Sequence, residues 1–199
     1  MSDGTAPWPG TGRLRVFVIG ADRGFSAFGY ALFELLDTSE RVVRVGVIET
    51  KKATKKANVL ASSDNHRRTG ELHRAMDVVL SSYGRVFAAA AESTSLPRNA
   101  GASYKIGRAD GVYAVALITR NIPLAEASPQ AVKKALCGKA SASKQEVQKA
   151  LEKLYPGQFD EFKAEYAKGK WEHGFDAAAA VVACLNSQVF LMARQLVQG

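Results

Sequence analysis

The chain has little of what fixes stapled, repetitive or membrane-spanning architectures. Of its 199 residues only two are cysteine, Cys137 and Cys184, far apart and both among apolar neighbours. Neither a CxxC redox pair nor a zinc cluster can be written from them, and reduced, buried thiols are expected. With 6 prolines, neither a collagen-like repeat nor a proline-rich linker is available. The longest uninterrupted apolar run, residues 177–185, falls far short of the ~18–20 residues that cross a bilayer, so no membrane association is expected. Residues 1–11 carry Asp3, prolines and glycines but not the basic-then-apolar order of an export signal, and the expected location is the cytoplasm. Residues 1–12 read as a flexible tail and residues 13–199 as one domain, a length that buries a generous core.

Acidic residues are also in short supply. Lys plus Arg number 27 against 19 Asp plus Glu, a net charge of +8 and a pI near 9.6. Such an excess draws polyanions, and nucleic acid leads the expected partners. The 47% hydrophobic content is that of an ordinary soluble core, which argues against disorder.

Apolar periodicity orders the rest. Arg13-Leu-Arg-Val-Phe-Val-Ile-Gly20 reads as a buried strand closed by the turn Asp22-Arg23-Gly24. Residues 25–36 and 41–50 follow as two further strands with hairpin spacing, and residues 63–83 turn helical before a fourth strand over residues 85–92. A helix over residues 101–119, a short strand over 122–127 and a helix from Pro129 to Cys137 come next. Helices over 143–154 and 159–167, then one long helix over 175–197, close the chain. Three antiparallel strands followed by strands alternating with helices predict an α/β fold, a mixed five-stranded sheet covered on both faces. Ribonuclease-H-like folds are among those this order admits.

Asp22 and Glu92 stand at the ends of buried strands, where an ionised carboxylate costs several kcal/mol unless a cation or hydrogen bonds compensate it. His173 and Asp176 are three residues apart, so one helix face can project both. Three carboxylates and an imidazole make an oxygen-rich site suited to Mg²⁺ or Mn²⁺ and to two-ion phosphodiester hydrolysis. Taken singly, each has a bland reading: Asp22 as a turn residue, Glu92 as a helix cap, Asp176 at a helix N-terminus and His173 as a hydrogen-bonded surface histidine.

In combination they resemble the RuvC family of Holliday junction resolvases. Val18-Ile-Gly-Ala-Asp22-Arg-Gly24 is similar to that family's opening strand and turn, with Asp22 on the first catalytic acid. Residues 88–92, followed by Asn99 and Gly107-Arg-Ala-Asp-Gly111, resemble the second acid and the helix behind it. The segment Ser128-Pro-Gln-Ala-Val-Lys133-Lys134, then Ser143-Lys144, resembles the stretch that carries DNA-contacting lysines. His173-Gly-Phe-Asp176 matches the last metal-site pair. The resemblance implies a ribonuclease-H-like fold, a homodimer, and Mg²⁺- or Mn²⁺-dependent paired nicking of four-way DNA. It implies two ions per site and no small-molecule cofactor. Asp22, Glu92, His173 and Asp176 are the expected ligands, and Lys144 is the expected stabiliser of charge at the cut phosphate.

The chain departs from the pattern in three places. The residue after the first acid is Arg23 instead of proline, which adds a charge near phosphate. Where members commonly place an aromatic wedge three residues past the second acid, this chain has Ser95, with Leu96 beside it. Between the third strand and the first helix the chain is longer and more basic, and Lys51, Lys52, Lys55, Lys56, Arg67 and Arg68 are expected to meet phosphates. Competing readings are a branched-DNA-binding protein without chemistry, a nuclease of forks or flaps, and a sugar-kinase or actin-like ATPase. The last usually needs about twice this length.

Overall fold

The computed structural model describes residues 14–93 and 98–198. The expected tail at residues 1–12, and Ser95 and Leu96, lie outside them. Strands β1 (Val16–Asp22), β2 (Ala27–Leu35), β3 (Glu40–Glu49), β4 (Val86–Glu92) and β5 (Leu124–Ala127) form one sheet in the order β3-β2-β1-β4-β5. β1 to β3 are antiparallel, whereas β4 and β5 run parallel to β1. The central strands are buried on both faces, which is why they read as near-continuous apolar runs.

Helices α1 (Ala61–Ser82) and α2 (Ala100–Ile118) cover one face, burying Leu72, Met76, Val112 and Tyr113 against Phe17, Ile19 and Ala21. The other face carries α3 (Pro129–Cys137), α4 (Lys144–Leu154), α5 (Asp160–Glu165), α6 (Trp171–Cys184) and α7 (Gln188–Gln198) over Val16, Val18, Ala88 and Ala90. α6 is the axle of this layer. Its Ala177, Ala178, Ala179 and Ala180 are all buried, and the small side chains let it lie close to the sheet.

The closest approach is made at two glycines. A Cβ on Gly20 of β1 would stand 2.0 Å from the Ala177 carbonyl oxygen, and one on Gly29 of β2 would stand 2.0 Å from that of His173. Only a missing side chain permits backbone to sit on backbone at those two points.

Three expectations need correction. The expected helix over residues 175–197 is two helices, α6 and α7, bent by 80° with the break at Leu185-Asn-Ser187. There Ser187 Oγ accepts from the Phe190 amide, and the turn brings Phe190, Ala193 and Val197 back onto the core. One straight helix would have left those side chains in water. Cys137 is half-buried, not buried, because it ends α3 near the surface; Cys184 is buried as expected. Arg67 and Arg68 belong to α1 and are engaged within the protein. Arg67 bonds Asp64 and Glu71, while buried Arg68 lies over the Phe25 ring and donates to Thr50 and Ser26. Among the described residues no single helix is long and apolar enough to cross a membrane.

Candidate active site

Strand alternation decides which side chains meet. In β1 the residues Val16, Val18, Gly20 and Asp22 face α6, and in β4 so do Ala88, Ala90 and Glu92. Because β1 and β4 are parallel neighbours with Ala21 opposite Ala91, Asp22 and Glu92 emerge together at the carboxyl edge of the sheet. Ligand sites of open α/β sheets lie at that edge. α6, seated on Gly29 and Gly20, brings His173 and Asp176 to the same point.

His173 Nδ1 lies 2.6 Å from Asp22 Oδ2. A carboxylate only accepts, so the imidazole donates from Nδ1 and keeps Nε2 as its ligating nitrogen. This hydrogen bond, opposed by burial, raises the imidazole's pKa above the ordinary histidine value. Lys144 Nζ donates to Asp176 Oδ2 at 3.0 Å and to Glu172 Oε2 at 3.2 Å. Partial burial works against the ammonium's charge, but Asp176 and Glu172 more than offset it, and Lys144 is held well above the ordinary lysine range. Burial raises the pKa of Glu92, and the nearby carboxylates of Asp176 and Asp22 raise it further against Lys144 and Lys133. Burial likewise raises Asp176, despite Lys144.

These acids repel one another across a shared space, which a divalent cation relieves. Three carboxylates and one imidazole fit Mg²⁺ or Mn²⁺ in donor type. As the side chains stand, no three His, Cys, Asp or Glu groups among the described residues converge closely enough to hold an ion. One Asp22 oxygen is on His173 and one Asp176 oxygen is on Lys144, so both contacts have to loosen for ions to enter.

Around this centre the other expected residues are distributed unevenly. A cleft of about 170 Å³ is lined by Asp22, Arg23, Gly24, Glu92 and Ile106. Lys133 is half-buried on α3 beside Glu92, and Lys134 is exposed on the same helix. Lys51, Lys52 and Lys56 are exposed in the connection between β3 and α1; of the Lys55 side chain nothing is described.

One expected DNA contact is corrected, and a second residue, exposed Asn99, also has a role within the chain. Arg23 does not point at solvent: its side chain is 7% exposed, and it donates to Asp110, to Glu126 and to the Glu92 carbonyl oxygen at 2.5 Å. It ties β1 to β4, β5 and α2 and thereby sets where Glu92 begins its turn. Asn99 caps α2, its side chain accepting from the Ala102 amide at 3.0 Å. A cap of this kind satisfies an orphan helix donor, a demand that exists with or without DNA.

Sequence reasoning missed Glu172, Asp110 and Glu126. The first was legible as a neighbour of His173. The other two meet Arg23 only because helix α2 and strand β5, both distant in sequence, pack beside the end of β1.

Most of the chain matches known proteins. The family model described as "Crossover junction endodeoxyribonuclease RuvC" matches residues 18–158. A protein of that name from Granulibacter bethesdensis is 32% identical over 142 residues, covering 71% of this chain and 74% of the relative. Another from Sinorhizobium medicae is 30% identical over 164 residues, covering 82% and 85%. In structure, Thermus thermophilus RuvC solved with a Holliday junction substrate superposes with a TM-score of 0.68 at 23% identity, covering 90% of this chain and 96% of that one. The likeness confirms the expected ribonuclease-H-like fold. By model and by relatives alike, this chain belongs to the RuvC family of crossover junction endodeoxyribonucleases.

Proposed function

We propose that the protein is a cytoplasmic, metal-dependent endonuclease that resolves four-way DNA junctions by paired symmetric nicks, acting as a homodimer. The observation that carries this reading is the meeting of Asp22, Glu92, His173 and Asp176 at one sheet edge, with the Lys144 ammonium on Asp176. Asp22, Glu92, Asp176 and His173 Nε2 are the groups that hold the ions. When bound, two Mg²⁺ or Mn²⁺ ions supply Lewis acidity and an activated water to phosphodiester hydrolysis. Burial and mutual repulsion disfavour the ionised forms of Glu92 and Asp176, and a cation at this edge would favour them. Lys144, released from Asp176, is the positive group left to face the phosphate, at the start of a helix whose amides also favour anions. Lys133 and Lys134 flank it on α3 and hold the strand by its backbone.

The dimer reading rests on α2. Its inner face is buried, while Gly107 and Gly111 line, with Gly70, Val112 and Val115, a largely apolar groove of about 480 Å³ against α1. A Cβ on Gly107 or Gly111 would meet nothing within 4 Å, so packing within the chain does not explain these glycines. Each costs a helix about 1 kcal/mol relative to alanine. A second copy seated on this face accounts for both, and two-fold symmetry then sets one site at each of two strands. The molar mass in solution by light scattering checks the dimer.

Incubation with labelled four-way, three-way and duplex DNA and Mg²⁺ tests the activity. Four-way junctions are expected to be cut in symmetric pairs. Asp22→Asn, Glu92→Gln and Asp176→Asn should each abolish cutting with junction binding retained, and His173→Asp should stay active. Equal cleavage of forks or flaps would move the substrate, and junction binding without cleavage would leave a branched-DNA-binding protein.

A further inference from the structure

Adjoining the acidic centre, and sharing Lys144 and Asp176 with it, lies a second cavity of about 260 Å³. Trp171 and Phe175 give it an apolar lining, and Gln145 and Lys168 stand exposed on its border. The Trp171 Nε1–H already donates to the Tyr166 carbonyl at 2.7 Å, which fixes the indole and leaves its face as the surface on offer. At ~30 Å³ per water the volume is that of eight or nine waters, about one planar heterocycle. Glu172 and Asp176 on the wall disfavour a free anion inside. A neutral flat group suits the interior, and a phosphate suits Lys168 outside it.

We propose that this cavity seats one unstacked DNA base next to the scissile phosphate, stacked on Trp171, with the adjoining phosphate on Lys168 and the base edge read by Gln145. The assignment rests on the nuclease reading above and names which nucleotide contact that site makes. Base–aromatic stacking tolerates any base but weights some over others, so Trp171 would tune where the strand is cut.

The chain has only two tryptophans, Trp8 and Trp171, so the Trp8→Phe variant reports Trp171 alone. Without divalent metal, its emission should be strongly quenched by a four-way junction and by a short single strand, and little by duplex. In single-turnover cleavage, Trp171→Ala should cut saturated junctions roughly 10- to 100-fold more slowly. It should lose discrimination among junctions that differ in the bases around the cut, while junction affinity changes less than about 3-fold. Trp171→Phe should restore most of the rate, and Gln145→Ala should alter site choice with the fold intact by circular dichroism. Emission unchanged at saturating junction, or Trp171→Ala cutting the same positions at the wild-type rate, would overturn the assignment. If the unaltered protein binds junctions and cuts none, the nuclease reading fails, and quenching by the single strand still decides whether the cavity takes a base.

Discussion

At Lys144 one ammonium serves two carboxylates, Asp176 at 3.0 Å and Glu172 at 3.2 Å, yet its side chain remains 64% exposed. An exposed pair contributes little to stability, on the order of 0–1 kcal/mol. Holding the fold together is therefore not its main use. In the proposed reaction, its place beside the acids would set it against charge developing on the phosphate. Lys144→Ala should lower the single-turnover cleavage rate of bound junctions by roughly 10²-fold, with a smaller change in affinity and an almost unchanged melting temperature. A variant that binds weakly but cuts saturated junctions at the normal rate would make Lys144 a DNA anchor only. Arg23, adjacent in sequence to the first acid, shows the opposite allocation: a cation whose three acceptors are all inside the protein. Residue type suggested DNA for both, and only their surroundings separate them.

Among the elements, α6 carries the most, because it supplies two of the four expected ligands and the central packing surface of one layer. Its height above the sheet is set at Gly29 and Gly20, where the His173 and Ala177 carbonyls leave no room for a Cβ. Neither neighbour is a flexible side chain that could swing aside. Gly29→Ala should therefore lift the first turn of α6, carry His173 away from Asp22, and cost at least ~1–3 kcal/mol through overpacking. Calorimetry together with junction cleavage checks this. A Gly29→Ala protein with wild-type stability and rate would show that α6 has freedom the packing denies it.

Charge distributes over the whole molecule in two ways. The net +8 is a field, and the exposed Lys51, Lys52 and Lys56, with Lys55, concentrate part of it between β3 and α1. Replacing these four lysines by alanine should weaken binding to all DNA shapes alike and flatten the salt dependence by several released counterions. An unchanged slope would make the segment a solvated surface. Glu34, by contrast, is 6% exposed in β2 and clamped by Arg15 and Arg41. The Arg15 hydrogen bond is the largest of the influences that lower its pKa to about 2. A depressed carboxylate stabilises the fold fully above the unfolded value and loses that contribution as pH falls toward the folded one, here from about 4.5 to about 2. Both arginines are more than half exposed, so screening leaves on the order of 1–2 kcal/mol. Urea unfolding across that window should show the loss in the unaltered protein, and Glu34→Gln should be less stable at neutral pH and flatter below it.

Much of this was readable without coordinates. Strand alternation and helical spacing are local properties, so Val86–Glu92 and the helix beginning at Pro129 could be bounded to within a residue or two, and Val16–Asp22 reads as starting three residues early, at Arg13. The identities of Asp22, Glu92, His173 and Asp176 were legible because their order and spacing match a known family, not because any one residue declares its role. Three things needed the tertiary structure. The break between α6 and α7 depends on a core that draws Phe190 and Val197 inward, and no local pattern at residues 185–187 carries that pull. The allegiance of Arg23 and Arg68 depends on acceptors supplied by other parts of the fold, which a residue's own neighbours in sequence do not reveal. The cavity beside Trp171 depends on the packing of α4, whose Lys144, Gln145 and Gln148 complete its lining. Periodicity fixes which face of an element is apolar, but hydrogen bonds and charge pairs are decided by distances between elements, and these exist only after the chain has packed.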